Sequence, residues 1–303
     1  MTFGEHLEEL RRRIIIGLLA LAVAFGVAFA FQDQLMRFFT RPYERARAQI
    51  NQKLVVDWEQ KKHAQAPATR LVDELLKLLL AKSGFVDDET AQRLLALQAK
   101  ELEEKPPHLE SLQSLATGEY FGAYMLVCML AAALVAAPIL LWELWKFVAA
   151  GLYDHERRIV LRVLPFSLLL FFAGFAFGYF VLAEISVRFL CGYGDLTLVQ
   201  PHVAIGAYLG LLFLLLLVMG LVFQIPLVMT VLSAVGMVQP AFYRGKRRYF
   251  ILAIFIVAAI ITPPDYISQL LVAGPMLLLF ELGIYLAAGA ARRRAARKQD
   301  PPA

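Results

Sequence analysis

The sequence predicts an all-α membrane protein, a polytopic bundle of six transmembrane helices with both termini in the cytoplasm. Hydrophobic residues make up 59% of the 303 residues and charged residues only 18%, with a mean hydropathy of +0.61. Soluble domains are only about 45–50% apolar. The hydrophobic residues are gathered into six long runs, and Lys and Arg are segregated among the loops between them. These three observations predict the fold class.

The six apolar runs are residues 14–31, 120–142, 163–183, 204–235, 249–262 and 266–289. Most reach the roughly 20 residues that a helix needs to cross about 30 Å of hydrocarbon. A helix also satisfies its backbone hydrogen bonds internally, as a lipid-facing segment must. The runs therefore predict membrane-spanning helices.

The fifth run is unusually short. Between Arg248 and Pro263 there are only 14 residues, which form roughly 21 Å of helix. Such a span either lies in locally thinned bilayer or is completed by flanking residues. The sequence leaves both interpretations open.

The distribution of Lys and Arg predicts the orientation, since cytoplasmic loops carry an excess of both. If the N-terminus is cytoplasmic, sixteen fall on that side: Arg11, Arg12, Arg13, Lys146, Arg157, Arg158, Arg162, Arg244, Lys246, Arg247, Arg248, Arg292, Arg293, Arg294, Arg297 and Lys298. The short loops on the other side contain only Arg188. Six spans then place both termini in the cytoplasm, and residues 290–303 form a basic tail.

We interpret residues 1–303 as one membrane domain with a polar insertion at 48–114 in the first extracytoplasmic loop. Leucines recur there near helical spacing, at Leu71, Leu75, Leu76, Leu79 and Leu80, and again at Leu94, Leu95, Leu97 and Leu102. Asp87 and Asp88 are suitable N-cap residues for the second stretch. The pattern predicts an amphipathic helical hairpin over the mouth of the bundle. A docking surface for a partner is the alternative.

The sequence gives little support for an enzyme, a metal site or a cofactor. Its five histidines lie outside the apolar runs and form no HExxH pair, and no phosphate-binding glycine motif is present. Cys128 and Cys191 have neither metal-ligand nor disulfide spacing. Since the positive charges are clumped in the loops, they indicate membrane topology, and nucleic-acid binding is not predicted.

A proton-coupled secondary transporter is the main alternative, because ionisable residues inside a membrane often mark an ion pathway. Glu281 lies inside the last run, while Glu143, Glu184 and Asp265 lie near the ends of spans. We find no chain of acids and no evident repeat between the two halves of the sequence, as many transporters have.

Gln224 interrupts the fourth run two residues before Pro226. It either makes an interhelical hydrogen bond that supports a proline-induced bend or forms a functional polar site. The sequence does not distinguish these two roles.

Two carboxylates lie among arginines at the predicted cytoplasmic edge. Glu9 precedes Arg11, and Glu156 precedes Arg157 and Arg158. A carboxylate accepts a guanidinium through two parallel hydrogen bonds that Lys cannot reproduce, so the two acids together suit a pair of arginines on an incoming segment. Alternatively, each acid pairs only with its own neighbours as a weak exposed ion pair.

Several motifs in order resemble one family. They are His6-Leu7-x-Glu9-Leu10-Arg11, Ala137-Pro138 with Trp145-x-Phe147, Leu152-Tyr153-x-His155-Glu156-Arg157-Arg158, Phe175-x-x-Gly178-Tyr179-Phe180, Phe223-x-x-Pro226, Lys246-Arg247-Arg248-Tyr249 and Thr262-Pro263-Pro264-Asp265-x-x-Ser268-Gln269. Together they cover residues 3–43 and about 118–289. The chain resembles TatC, the receptor subunit of the twin-arginine protein translocase.

The resemblance implies that Glu9 and Glu156 bind the twin-arginine signal peptide of folded cargo at the cytoplasmic face. The positions in or around that site are Leu10, Arg11, Phe147, Arg157 and Arg158. It also implies structural roles for Pro42, Pro138, Pro263 and Pro264, and intramembrane polar or partner-docking roles for Gln224, Thr262, Asp265 and Gln269.

The resemblance further implies an inner-membrane protein of a prokaryote that has no cofactor and uses the proton-motive force. Its partners would be TatA- and TatB-type single-span proteins, other copies of itself and the lipid bilayer. In that setting, bilayer thinned at the short fifth helix would favour recruitment of TatA-type partners.

The chain departs from the family pattern in two places. Gln224 stands where many members carry Glu, so a titrating role there is not expected. The insertion at 48–114 exceeds the compact family loop, and the resemblance does not explain it.

Overall fold

The computed structural model describes residues 3–82, 106, 108–151, 154–192, 202–262 and 266–299, with side chains except at 3, 5, 6, 65–82, 154–162 and 296–299. The helices are α1 (Phe3–Ala30), α2 (Gln32–Lys82), α3 (Glu119–Ala150), α4 (Asp154–Phe177), α5 (Ala183–Gly192), α6 (Ile205–Val222), α7 (Ile225–Val235), α8 (Pro240–Gly245), α9 (Arg247–Ile261) and α10 (Tyr266–Gln299). A π-helical turn, Gly178–Leu182, joins α4 to α5.

Five helical stretches in the described ranges are long and apolar enough to cross a membrane. They are Leu7–Ala30, Glu119–Ala150, Val163–Gly192, Ile205–Val235 and Tyr266–Ala295, and they match the first four apolar runs and the sixth. Helix α9 corresponds to the fifth run. It has 15 residues, or about 22 Å of helix, so the fifth span is short in the structure as well.

The spans form a bundle in which α1 packs on α3, α3 on α4, α4 on α6, and α7 on α10. Two glycines on the third span allow close helix contact. A Cβ at Gly174 would lie 2.5 Å from the carbonyl oxygen of Met219, and one at Gly178 would lie 2.9 Å from Leu216. Small residues at these positions therefore let the third and fourth spans approach closely.

The fourth span is broken where the sequence contains Gln224 and Pro226. Helix α6 ends at Val222, and α7 begins at Ile225 with Gln224 as its N-cap residue. Pro226 lies in the first turn of α7, where its missing N–H removes no helical hydrogen bond. The break therefore coincides with a proline, as helix kinks commonly do.

Helix α10 extends well past the start of α9. The Arg247 guanidinium donates to the Glu281 carboxylate at 2.9 Å, whereas the Arg294 guanidinium lies against Gly236, after the end of α7. Gly236 has a φ of +84°, so its backbone conformation favours glycine. Residues 281 and 294 are 13 positions apart on one helix, or roughly 20 Å, so α9 begins deeper in the bundle than the point where α7 ends.

We call the two ends of the bundle the basic end and the capped end. The basic end is where α1 and α4 begin and where α3, α7 and α10 end, and it carries residues such as Arg11, Arg12 and Arg292. The capped end is covered by the first half of α2, which packs on α5. Phe39 and Tyr43 of α2 are almost completely buried there, at 1% and 0% exposure.

Pro42 lies inside α2 and is buried. Because proline has no N–H, it cannot donate to the carbonyl of Phe38, four residues earlier. The Tyr179 hydroxyl donates to that carbonyl instead, at 2.5 Å, and its ring stacks on Phe38 with centroids 4.6 Å apart. Tyr208 likewise donates to the Phe39 carbonyl at 2.9 Å. The third and fourth spans thus hold α2 through hydroxyl donors.

The segment that contains Leu109 and Glu110, which precedes α3, completes the capped end. The Tyr43 hydroxyl donates to the Glu110 carbonyl at 2.8 Å, and burial raises the pKa of Tyr43 to about 12. The amide of Asn51 donates to the Leu109 carbonyl at 3.2 Å and accepts from the Leu109 N–H at 2.6 Å. These neutral bonds fix where α2 crosses the bundle.

Helix α2 has no break at residue 48, where the sequence analysis begins the insertion. It continues to Lys82, a total of 51 residues, or about 77 Å. The first predicted amphipathic stretch is therefore the distal part of α2. The second, with Asp87, Asp88 and residues 94–102, lies outside the described residues.

Candidate functional site

The candidate site is built around one arginine that connects α1 to α3 near the basic end. The Nε of Arg13 donates to Oε1 of Glu9 at 2.8 Å, and its Nη2 donates to the same oxygen. Its Nη1 donates to Oε2 of Glu143 at 2.5 Å. Glu9 and Arg13 are one helical turn apart, but Glu143 lies 130 residues further along the chain.

Packing of α1 on α3 brings these three charges together. A Cβ at Gly17, one turn after Arg13, would lie 3.1 Å from the Leu140 side chain, so the helices are in close contact there. The side chains of Glu9, Arg13 and Glu143 are only 21%, 17% and 11% exposed. Little water screens the three charges, which makes their mutual pairing stronger than that of a surface pair.

The sequence analysis identified Glu9 but missed the other two members of this triad. Arg13 was detectable, because an acid and a base four residues apart on a helix are neighbours. Glu143 gave a weaker signal, as a charge just after the second apolar run, and the analysis treated it only as a transporter candidate. Nothing in the sequence connects it to Arg13, since that contact depends on how α1 packs against α3.

The other predicted residues of α1 and α3 lie around the triad. Leu10 is half-buried and Arg11 is exposed. A shallow depression along α1 is lined by Glu8, Glu9, Arg11, Arg12, Ile15 and Ile16. Phe147 is half-buried and follows Glu143 by one turn, so both lie on one face of α3.

Glu156, Arg157 and Arg158 belong to the first turns of α4. The chain reaches them immediately after α3 ends at Ala150, so their backbone is at the basic end. Their side chains lie outside the described part of the structure.

Gln224 is buried, with 8% exposure, and joins two neighbouring spans. Trp145 of α3 donates to the Ser167 hydroxyl at 2.8 Å, and that hydroxyl donates to Oε1 of Gln224 at 2.5 Å. Nε2 of Gln224 donates back to the Ser167 carbonyl at 3.1 Å. The interhelical hydrogen bond considered in the sequence analysis is therefore present, beside the break in the fourth span.

The polar residues predicted at the turn between α9 and α10 bond within the chain. Buried Thr262 donates to the Ala258 carbonyl at 2.9 Å, and Gln269 donates to the Phe255 carbonyl at 3.1 Å. The Gln269 bond ties α10 to α9, whereas Thr262 bonds within the last turn of α9. Pro263, Pro264 and Asp265 lie outside the described residues.

The two other prolines predicted to have structural roles are inside helices. Pro138 is exposed within α3, whereas Pro42 is buried within α2 and frees the carbonyl that Tyr179 binds. In the described residues, no three His, Cys, Asp or Glu side chains lie close enough together to hold a metal ion.

Comparison with known proteins identifies the family. The model of the Sec-independent protein translocase protein (TatC) family matches residues 5–275, most of the chain. This chain is a member of the TatC family. TatC from Carboxydothermus hydrogenoformans is 31% identical over 288 residues, covering 95% of this chain and 93% of that protein. TatC from Aquifex aeolicus is 28% identical over 295 residues, covering 97% and 98%.

Solved structures agree with this family assignment. A crystal structure of the twin arginine translocase receptor TatC matches with a TM-score of 0.66 and 26% identity, covering 95% of this chain and all of that one. A second, of the same receptor in the detergent DDM, has a TM-score of 0.65, again at 26% identity, and covers 93% and 99%. The predicted all-α six-span fold class is confirmed by these TatC structures.

TatC membership establishes the general function. The chain is a core subunit of the Sec-independent, twin-arginine protein translocase, and so a protein-transport component rather than an enzyme. It is a multi-pass protein of the bacterial inner membrane that works in a complex with other subunits. A proton-coupled secondary transporter is not favoured.

Proposed function

We propose that this subunit binds twin-arginine signal peptides at its basic end through Glu9 and Glu156. The observation that carries the proposal is the carboxylate cluster itself: Glu9 is held by Arg13 beside Glu143 in a place with little water. A carboxylate so placed suits an arginine, whose planar fork makes two charge-assisted hydrogen bonds. Glu156, in the first turn of α4, would supply the carboxylate for the second arginine.

The basic end faces the cytoplasm in this proposal, and both termini lie there. The support is the sixteen Lys and Arg residues of the loops and termini on that side, against Arg188 alone in the short loops on the other. That orientation exposes Glu9 to a signal peptide before the cargo crosses the membrane. The proton-motive force would then drive the export of folded cargo.

Peptide binding tests the proposal. Membranes containing the full chain should bind a twin-arginine signal peptide well and its Lys-Lys variant poorly. Glu9→Gln and Glu156→Gln should each weaken binding of the twin-arginine peptide about thirtyfold or more, since truncating one partner of a buried charge pair costs about 2–5 kcal/mol.

Glu8→Gln is the matched control, because Glu8 is exposed and one residue from Glu9. It should bind like the wild type. The receptor proposal would be refuted if the wild type bound both peptides equally, or if folded Glu9→Gln bound the twin-arginine peptide normally. Glu9 would then only pair locally with Arg13.

We infer that TatA- and TatB-type single-span proteins dock on the outer face of α9 and α10. Leu252, Ile256 and Ile260 recur every four residues on α9 and are 53–76% exposed, so they form one apolar stripe along that helix. Since α9 has only 15 residues, a short span of this kind can be accommodated by a thinner bilayer, by flanking residues or by association with partners. Thr262 and Gln269 lie at one end of this surface, and Asp265 lies between them in the sequence.

Site-specific photocrosslinking tests the docking face. A photoreactive amino acid at position 256 should crosslink to a TatA- or TatB-type protein in membranes that contain the whole complex. Position 135 on α3 is the control, because Val135 is also apolar and 62% exposed. Crosslinking of position 135 in preference to position 256 would move the docking face away from α9.

A further inference from the structure

The arrangement around Arg13 points to a role for Glu143 beyond holding α1 against α3. We propose that Arg13 occupies the place of a signal arginine on Glu9 in the unliganded chain, and that Glu143 receives Arg13 when the signal arginine binds Glu9. Arg13 and Glu143 would then be positioning residues that set affinity and arginine selectivity. The proposal rests on the proposed binding of signal peptides at Glu9.

The formal charges of the triad favour this exchange. Two carboxylates and one guanidinium carry a net charge of −1, and all three side chains are at most 21% exposed. A net charge in a poorly hydrated place is costly, and its attraction for one more cation is correspondingly strong. One incoming guanidinium makes the cluster neutral. A cationic ligand at Glu9 would therefore bring the formal charges of these three residues into balance.

The bonds of Arg13 allow the exchange. Arg13 already bonds both acids: Nε and Nη2 contact Glu9, and Nη1 contacts Glu143 at 2.5 Å. Moving from one carboxylate to the other requires the guanidinium to exchange some of its five N–H donors, without leaving the cluster. Without Glu143, release of Glu9 would leave Arg13 as an unpaired cation with little water around it, which is strongly unfavourable.

The same bonds favour an incoming arginine over a lysine. A cation that replaces Arg13 on Glu9 must compensate for two N–H donors that converge on one carboxylate oxygen. An arginine supplies paired donors in a rigid fork, whereas a lysine is a point charge on a flexible chain. Arg13 therefore makes binding to Glu9 less favourable for a Lys-Lys peptide than for a twin-arginine peptide.

The experiment measures the Kd of a twin-arginine signal peptide and of its Lys-Lys variant for the full chain in membranes. Glu143→Gln leaves Glu9 and Arg13 as a neutral pair, so the Kd of the twin-arginine peptide should rise about tenfold, equivalent to about 1.4 kcal/mol. Arg13→Gln leaves two uncompensated acids, so both peptides should bind more tightly and the Arg-Arg preference should shrink.

The double variant Arg13→Gln/Glu143→Gln separates charge exchange from a structural role. It removes Arg13 from Glu9 while the formal charges at the three positions still sum to −1, so it should bind the twin-arginine peptide more tightly than Glu143→Gln does. If the triad only held the helices together, the double variant would bind the twin-arginine peptide no better than whichever single variant binds it more weakly. That result would overturn the proposal. Should Arg13→Gln fail to fold, Glu143→Gln and the double variant decide the matter.

Two further variants keep this result distinct from the receptor proposal. Arg292→Gln removes an exposed cation on α10 at the same end of the bundle and should bind like the wild type. If Glu9→Gln binds normally, the receptor proposal itself fails. If Glu9→Gln loses binding while Glu143→Gln binds like the wild type, only the exchange of Arg13 is refuted.

Discussion

The tyrosine and asparagine bonds that hold α2 at the capped end differ in chemistry from the bonds that hold α1 at the basic end. At the capped end, tyrosine hydroxyls and an asparagine amide bond to backbone carbonyls around buried aromatic rings, and none of these donors is charged. At the basic end, α1 is joined to α3 by a triad of formal charges, Glu9, Arg13 and Glu143. Neutral bonds between fixed backbone groups favour one rigid arrangement, whereas a charged triad with a net charge can accept a further ion. The capped end therefore suits a structural role and the basic end a binding role.

This comparison predicts the largest loss of stability for a core substitution at the capped end. Phe39→Ala removes a ring that is 1% exposed, and truncation of a buried phenylalanine costs about 3–5 kcal/mol. Thermal unfolding of the purified chain in detergent should show a marked loss, whereas twin-arginine peptide binding below the lowered transition should be retained.

Phe31→Ala is the control for this experiment, because Phe31 is 55% exposed and should contribute little to stability. If Phe39→Ala instead weakened peptide binding while leaving the unfolding temperature unchanged, the assignment of separate roles to the two ends would be wrong.

A smaller effect is expected from the hydroxyl that compensates for Pro42. Tyr179→Phe leaves the Phe38 carbonyl without its donor, and an unsatisfied buried acceptor costs about 1–3 kcal/mol. Adding Pro42→Ala restores a backbone N–H that can bond to that carbonyl.

The unfolding temperature should therefore fall less on going from Pro42→Ala to the double variant than from the wild type to Tyr179→Phe. Additive losses in this double-mutant cycle would show that the Tyr179 hydroxyl does not substitute for the missing helical hydrogen bond.

The smallest effect is expected for an ion pair at the water-exposed surface of α2. Arg47 bonds Glu44 at 2.9 Å, and the two side chains are 29% and 44% exposed. Such pairs contribute about 0–1 kcal/mol, so Arg47→Gln should leave the unfolding temperature nearly unchanged. A loss as large as that of Tyr179→Phe would show that charge is also important at the capped end, and would blur the difference between the two ends.

Much of this architecture could be predicted before any coordinates were considered, and the break in the fourth span illustrates why. Pro226 lacks an N–H and Gln224 carries a polar group into an apolar run, so local chemistry alone predicted a bend. The partner of Gln224 was not predictable, because Ser167 and Trp145 lie on other spans and reach it only through the packing of α3, α4 and α6. Likewise, Pro42 was identified as structural only through the family resemblance, and its interaction with Tyr179 emerges from the folded chain.

The apolar runs, the short fifth span and the separation of the positive charges are properties of contiguous stretches of sequence. The cost of placing polar groups in hydrocarbon acts on each stretch separately, which is why the membrane-spanning segments could be predicted from the sequence. The site is different, because its carboxylates come from α1 and α3, and Arg13 meets Glu143 across 130 residues. A hydrogen bond depends on tenths of an ångström and on direction. The packing of one helix on another sets both, and no local pattern encodes it.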